Sequence, residues 1–189
     1  MKINFGCGSK KIEGWLNVDL FDSVEPDMIL DMEKTPWPFS SNSVDEMLFS
    51  HVLEHVGAMP NDFLNIIKEI YRIAKDGCVL NIYVPHPRHE HFIIDPTHCR
   101  VILPATMEMF NRDKNLEQIK NKETITPLGF FHDVNIKVQK ISYIYGSRVR
   151  EAQAAGVSEK ELQRMIYTEL NSIQEIRMSL LVSKEWESA

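Results

Sequence analysis

The chain has 189 residues, 43% of them hydrophobic and 25% charged, and a net charge of −6, a composition that fits one soluble globular domain with a sizeable core. No block of consecutive basic residues offsets that acidic balance, which argues against a partner gripped through its phosphates and makes nucleic acid a minority expectation. Cys7, Cys78 and Cys99 are too few and too far apart for a disulfide framework or a C-x-x-C zinc pair, and no run approaches the roughly 18 apolar residues a membrane helix needs. A cytoplasmic protein without a membrane segment is expected.

Five short apolar runs open the chain: "KINF" at 2–5, "WLNVD" at 15–19, "DMIL" at 27–30, "VDEMLFS" at 44–50 and "CVLNIYV" at 78–84. Each is bounded by Gly, Pro, Asp or Ser, and each reads as a buried strand. Between the fourth and fifth, residues 60–75 carry Phe63, Ile66, Ile67, Ile70, Tyr71 and Ala74 at helical spacing, with Pro60 at the start and Asp76-Gly77 as the expected stop. Runs 134–145 and 175–184 read as two further strands. The segment between them predicts a helix opened by Ser158 and Glu161 as a capping box, with Leu162, Ile166 and Leu170 on its apolar face. This order predicts an α/β fold: a Rossmann-like open twisted sheet, mainly parallel, with helices on both faces, as a single domain over 1–189. The least regular stretch, "PHPRHEHFIIDPTHCRVIL" at 85–103, follows the fifth strand, where ligands sit in open α/β sheets, so an active-site lid insertion is expected over 85–131.

Glycines after a first strand let backbone approach a ligand, and an acid ending the second strand can accept both hydroxyl hydrogens of a ribose. Gly6, Gly8 and Asp19 have those roles available. A dinucleotide fingerprint would need a glycine at position 11, which here is Lys11. The stretch 6–14 between the two strands is short for a crossover helix.

From residue 2 to about 110, through "FGCG", "GWLNVDL", "LDMEKTPWPFSSNSVDEMLFSHVLEHV", "IIKEIYRIAKDGCVLNIYVP" and "DPTHCR", the chain resembles the class I S-adenosylmethionine-dependent methyltransferases of methyltransferase type 11 character. The resemblance implies S-adenosyl-L-methionine as cofactor. Phe5, Gly6, Cys7 and Gly8 would turn around its amino-acid part, Asp19 and Leu20 would meet the ribose, Asp31 and Met32 the adenine, and Ser50 and His51 would lie beside the sulfonium. The helices that usually precede the family's first strand are missing, so the 85–103 loop or a partner subunit is expected to cover the cofactor.

"SHVLEHV" contains H-x-x-E-H, His51, Glu54 and His55, which by itself is the signature of an inverted zinc peptidase. A peptidase needs it inside a long helix, whereas here it follows a strand directly. Within the methyltransferases it resembles the E-x-x-E-H of ubiquinone-type and small-RNA 2′-O-methylating enzymes. That likeness implies a divalent metal at His51, Glu54, His55 and His98, with His51 in place of a carboxylate shifting preference from Mg²⁺ toward Zn²⁺, Mn²⁺ or Fe²⁺. The metal-free form is the preferred expectation: His51 as catalytic base next to the methyl group and His98 second. Arg100 is open between pairing with an anionic acceptor and a structural salt bridge, and Trp15 and Trp37 read as packing.

The expected function is O-methylation of a small polar acceptor, such as a sugar, nucleotide-linked intermediate or metabolite. The alternatives are a non-catalytic S-adenosylmethionine-binding partner subunit and a metal-dependent RNA 2′-O-methyltransferase. The expected partners are a small-molecule acceptor, no membrane, and nucleic acid only in that last alternative, with a homodimer left open.

Overall fold

A computed structural model describes residues 1–185. Seven strands form one sheet: β1 (Lys2–Phe5), β2 (Leu16–Asp19), β3 (Met28–Ile29), β4 (Val44–Ser50), β5 (Ala74–Pro85), β6 (Ile136–Tyr145) and β7 (Ile173–Val182), in the order β3-β2-β1-β4-β5-β7-β6. The pairs from β3 to β5 are parallel, and β7 lies antiparallel to both β5 and β6. This is the mainly parallel α/β sheet flanked by helices that the order of elements predicts. The order reverses beside β1, between β2 and β4, which places a ligand crevice at the carboxyl ends of those strands.

Register aligns Ile3 with Met47 and Leu80, and Phe5 with Phe49 and Ile82, in two fully buried rows continued by Leu180 and Met178. Phe5 stacks on Phe49 at 4.9 Å and meets Trp37 at 5.1 Å. Helix α1 (Pro60–Ile73) buries Phe63, Ile66, Ile67, Ile70, Tyr71 and Ile73 in the same core. At about 25 cal/mol per Å² of apolar surface, such rows are the main favourable contribution to folding. The row between them is polar except for Leu48: Asn4, Leu48, Asn81 and Ser179, with Asn81 Nδ2 donating to Glu46 Oε1 at 3.0 Å.

Helix α1 does not reach the expected Gly77 stop. Ala74, at φ −62° and ψ 139°, already belongs to β5. Val44 pairs with Ala74 but Glu46 with Val79, so a bulge absorbs the extra residues, and Gly77 takes its left-handed φ of 74° inside it. Helix α7 (Glu159–Thr168) forms only the Ser158 half of the expected capping box: Ser158 Oγ accepts from Glu161 N at 3.3 Å, but the Glu161 carboxylate pairs with Arg164 instead of reaching back to Ser158 N. It stops before Leu170, which is exposed; Met165 and not Leu170 completes the buried face, against Val149 of α6 (Ser147–Ala154). Between β5 and β6 lie four short helices: α2 (Glu90–Ile93), α3 (Pro104–Glu108), α4 (Arg112–Lys120) and α5 (Leu128–Phe131). Among the described residues no helix is long and apolar enough to cross a membrane.

The β1–β2 crossover contains no helix. Two buried asparagines take its place. Asn17 Oδ1 accepts from Ile12 N at 2.8 Å and from Asn4 Nδ2 at 3.1 Å, while Asn17 Nδ2 donates to the carbonyls of Ile12 and Trp15, each at 3.2 Å. Asn4 Nδ2 also donates to Lys10 O at 3.0 Å. These side chains satisfy loop backbone that a helix would have satisfied itself. Asp27 Oδ2 accepts from both the backbone and the side chain of Asn17, at 2.7 and 2.9 Å, which holds its carboxyl below the usual range. Asn17→Ala breaks this closure and strands buried donors and acceptors, so it is expected to cost about 2–3 kcal/mol in urea unfolding, where an exposed surface amide would cost next to nothing.

Candidate active site at the carboxyl ends of the strands

A cavity of about 600 Å³ opens where the strand order reverses, lined by Gly6, Gly8, Asp19, Asp31, Met32 and His51 among others. Gly6, at φ +60°, packs so closely that a Cβ there would lie 2.3 Å from Val52 Cγ2. Any side chain would both strain the backbone and displace the wall of the cavity. Gly8, at φ +49°, faces open space. Its N–H donates to Asp19 Oδ2 at 2.8 Å, and Phe21 N donates to Asp19 Oδ1 at 3.1 Å. The Asp19 side chain is thereby fixed, and each of its oxygens keeps a lone pair for a diol.

The opposite wall is pinned from α1. Glu69 Oε2 accepts from Trp37 N at 2.7 Å, and Arg72 donates to the carbonyls of Trp37 and Phe39. The Trp37 indole donates to Met32 O at 3.0 Å, which sets the loop bearing Asp31 and Met32. Glu33 Oε1 accepts from Gly57 N at 2.7 Å and ties that loop to the β4–α1 connection.

Of the residues predicted for the cofactor, Gly6, Gly8, Asp19, Leu20, Asp31, Met32 and His51 line the cavity. Phe5, Cys7 and Ser50 are not among its lining residues; Phe5 and Cys7 are buried, because Phe5 anchors the core row and Cys7 N donates to Val18 O. Phe21, Val24, Glu33, Val56 and Thr97 line it without having been foreseen. Phe21 and Val24 belong to a single 3₁₀ turn and its cap, too short to leave a periodic signal.

His51 follows β4 with a left-handed φ of 57°, its N–H donating to Tyr83 O at 2.8 Å. A non-glycine residue held there costs about 1 kcal/mol or more, a cost that recurs at functional positions. The turn brings Nε2 to 2.6 Å from Glu175 Oε2 and Nδ1 to 3.5 Å from Glu54 Oε1. The hydrogen bond to Glu175, then the ion pair with Glu54, pushes the His51 pKa up to about 9.

His51 therefore stands apart from the other three expected metal ligands. Glu54, His55 and His98 do converge, one ligand atom from each lying within 4.8 Å of the others. Glu54 is 1% exposed, and neither carboxylate oxygen has a hydrogen-bond partner. His98 Nδ1 lies 2.8 Å from Phe92 O, and its ring sits against Phe92 and His55. His55 Nδ1 lies 2.8 Å from Thr97 Oγ1, whose hydroxyl donates to Asp95 Oδ1 at 2.6 Å. In both imidazoles Nδ1 is thus the donor, and His98 Nε2 lies 3.9 Å from Asp95 Oδ2. A buried carboxylate, whose ion pair among the described residues is with His51, beside two imidazoles is a donor set that fits a divalent transition metal.

Residues 97–100 are fastened to the same connection: Cys99 N and Arg100 N donate to Glu54 O at 2.9 and 3.2 Å. Arg100 donates to Gly57 O and stacks over Phe63 at 4.3 Å, so it is structural and does not face an acceptor. Arg88 binds the carbonyls of Tyr167 and Glu169, at 2.8 and 3.1 Å. The expected lid is in this state a docked strap, anchored at both ends and contributing Thr97 to the cavity wall.

A sheet of this order with a cofactor-sized cavity at the switch point defines a class I methyltransferase fold. Residues 22–82 match the family model described as a methyltransferase domain, Methyltransf_11. Among solved structures, a SAM-dependent methyltransferase from Archaeoglobus fulgidus aligns with a TM-score of 0.54 and 17% identity, over 95% of this chain and 85% of that one. A putative type 11 methyltransferase from Sulfolobus solfataricus gives 0.53 and 14%, over 100% and 87%. The [4+2]-cyclase SpnF gives 0.54 and 12%, over 97% and 75%, so the fold also carries other chemistry. No curated protein matches by sequence. These likenesses show the class I methyltransferase fold, with the match to the methyltransferase-domain model confined to residues 22–82.

S-adenosylhomocysteine is expected to raise the melting temperature, and Asp19→Ala to weaken its binding by about 1.5–3 kcal/mol through loss of charge-assisted hydrogen bonds. Calorimetry showing wild-type affinity in the variant would remove Asp19 from the site.

Proposed function

We propose that the chain methylates a hydroxyl of a small polar acceptor presented beside His51. The observation that supports this most is the placement of His51: it lines the cofactor cavity, half-exposed, at the end of β4. Methyl transfer from a sulfonium is an in-line displacement, for which the protein must align the nucleophile and take its proton. In this reading His51 receives that proton, and Glu175 holds the ring in place and stabilises the imidazolium that results. His98, with its side chain nearly enclosed between Phe92 and His55, is the weaker candidate for the same task.

A base with a pKa of about 9 is mostly protonated at neutral pH, so the active fraction grows as pH rises. The rate of the chemical step is expected to climb about tenfold per unit from about pH 6 and to level near pH 9. Glu175→Gln should move that break to lower pH, and His51→Ala should lower the step about 10²–10⁴-fold with cofactor affinity retained. Formation of S-adenosylhomocysteine by the isolated chain with hydroxylated acceptors is the direct test. A chain that binds cofactor but never turns over, with any acceptor including an RNA oligonucleotide, would instead support a non-catalytic partner subunit.

The convergence of Glu54, His55 and His98 within 4.8 Å favours a second reading, in which these three hold a divalent metal. Such an ion would supply Lewis-acid polarisation of the acceptor hydroxyl. The chain's own part would be to orient the two imidazoles through Phe92 O and the Thr97–Asp95 pair, and His51 would remain outside the ligand set. Purified protein is then expected to bind Zn²⁺ or Mn²⁺ at one equivalent by calorimetry, with Glu54→Gln and His98→Ala each abolishing it. Failure of wild-type protein to bind either ion would leave His51 as a metal-free base.

A further inference from the structure

We propose that Arg177, stacked on Tyr83 and joined to His51 through Glu175, forms a recognition fork for an oxyanion on the methyl acceptor, which makes that acceptor a small hydroxylated carboxylate or phosphate ester. This rests on the reading that methyl transfer occurs beside His51. Register places Ser50, Tyr83, Arg177 and Ser142 in one row across β4, β5, β7 and β6, on the polar side of the sheet. The row ends where β4 ends, one residue before His51.

Two contacts fix the guanidinium. Its carbon lies 4.9 Å from the centre of the Tyr83 ring, which sets its plane, and its Nε donates to Glu175 Oε1 at 2.5 Å, which sets its rotation. The other oxygen of the same carboxylate is 2.6 Å from His51 Nε2. One carboxylate therefore spans the two side chains, and their nitrogens are less than about 8 Å apart.

Among the described residues Glu175 takes only Nε, and the two terminal amino groups have no hydrogen-bond partner. The side chain is 45% exposed. An arginine serving only as a counter-ion would engage a carboxylate with two parallel bonds, the favoured geometry for that pair. Here one prong is spent on orientation and the broad edge is left to solvent, a pre-organised arrangement that loses little freedom when a bidentate oxyanion arrives. Carboxylate and phosphate share that geometry, and Ser50 and Ser142 in the same row offer further hydroxyl donors.

The test titrates inorganic phosphate and, separately, acetate into the full chain saturated with S-adenosylhomocysteine, measuring affinity by calorimetry in every variant and following the Arg177 Nε–H resonance in the wild type. Saturable shifts are expected, with affinity lowered at least about tenfold in Arg177→Gln and several-fold in Arg177→Lys and Tyr83→Leu, since the lysine keeps charge without the fork. S-adenosylhomocysteine affinity should stay at the wild-type level in all three, which separates recognition from folding. The tighter of the two anions identifies the acceptor's acidic group. Phosphate and acetate binding that is unchanged in Arg177→Gln, or no shift of the Arg177 resonance with either anion, would overturn the proposal. Wild-type protein that captures the anion at Arg177 but binds no S-adenosylhomocysteine would overturn the methyl-transfer reading and leave the anion site standing.

Discussion

The side-chain amide of Asn17 closes a parallel crossover that has no helix, and the geometry of the cofactor cavity depends on that closure. Two parallel neighbours need a long connection, usually helical, because the chain must return to its starting edge while satisfying its backbone. Here residues 6–15 do so as a loop, and Asn17 supplies an acceptor for Ile12 N and donors for the carbonyls of Ile12 and Trp15. Because Asn17 sits in β2, two residues before Asp19, the same residue that closes the loop sets how far Gly8 lies from Asp19. The short crossover and the cavity-lining acid are one mechanical unit.

That unit explains what was and was not legible in the sequence. The buried rows through Ile3, Met47 and Leu80 announce themselves as apolar runs, and α1 as a periodic face, because burial leaves a repeating signature. Asn4 and Asn17 leave none, since a polar residue inside a strand reads like an ordinary solvent-facing position until its partner is known. The stop of α1 was misplaced for a related reason: Gly77 looks like a helix terminator, yet the bulge opposite Val44 and Glu46 uses the same left-handed conformation. Sequence indicates that a glycine needs positive φ somewhere, and pairing decides which element spends it.

The histidines divide along a similar line. Within a helix, residues at the spacing of His51, Glu54 and His55 would share one face. The chain after β4 is instead an irregular connection, so His51 turns toward β7 and meets Glu175, a residue 124 positions away, while Glu54 and His55 turn toward the strap. His98 belongs with the latter pair because Cys99 N and Arg100 N hold the strap to Glu54 O. Glu175 carries no motif at all. Only the antiparallel return of β7 beside β5 brings it to the site.

The left-handed conformation of His51 links these two groups. An extended residue at that position would continue β4 alongside Tyr83, whereas φ of 57° ends the strand and sends the chain into the Glu54–His55 turn. The strain is balanced by bonds at both ends of the residue: the backbone N–H on Tyr83 O and the ring on Glu175. Glycine would remove the strain at this position and with it the imidazole, which reaches from the cavity wall to the Glu175 carboxylate. Retaining a histidine where the backbone alone would select glycine is what a position chosen for its side chain looks like. The same contact to Glu175 that holds the ring also raises its affinity for a proton, so positioning and proton uptake at His51 cannot be tuned independently.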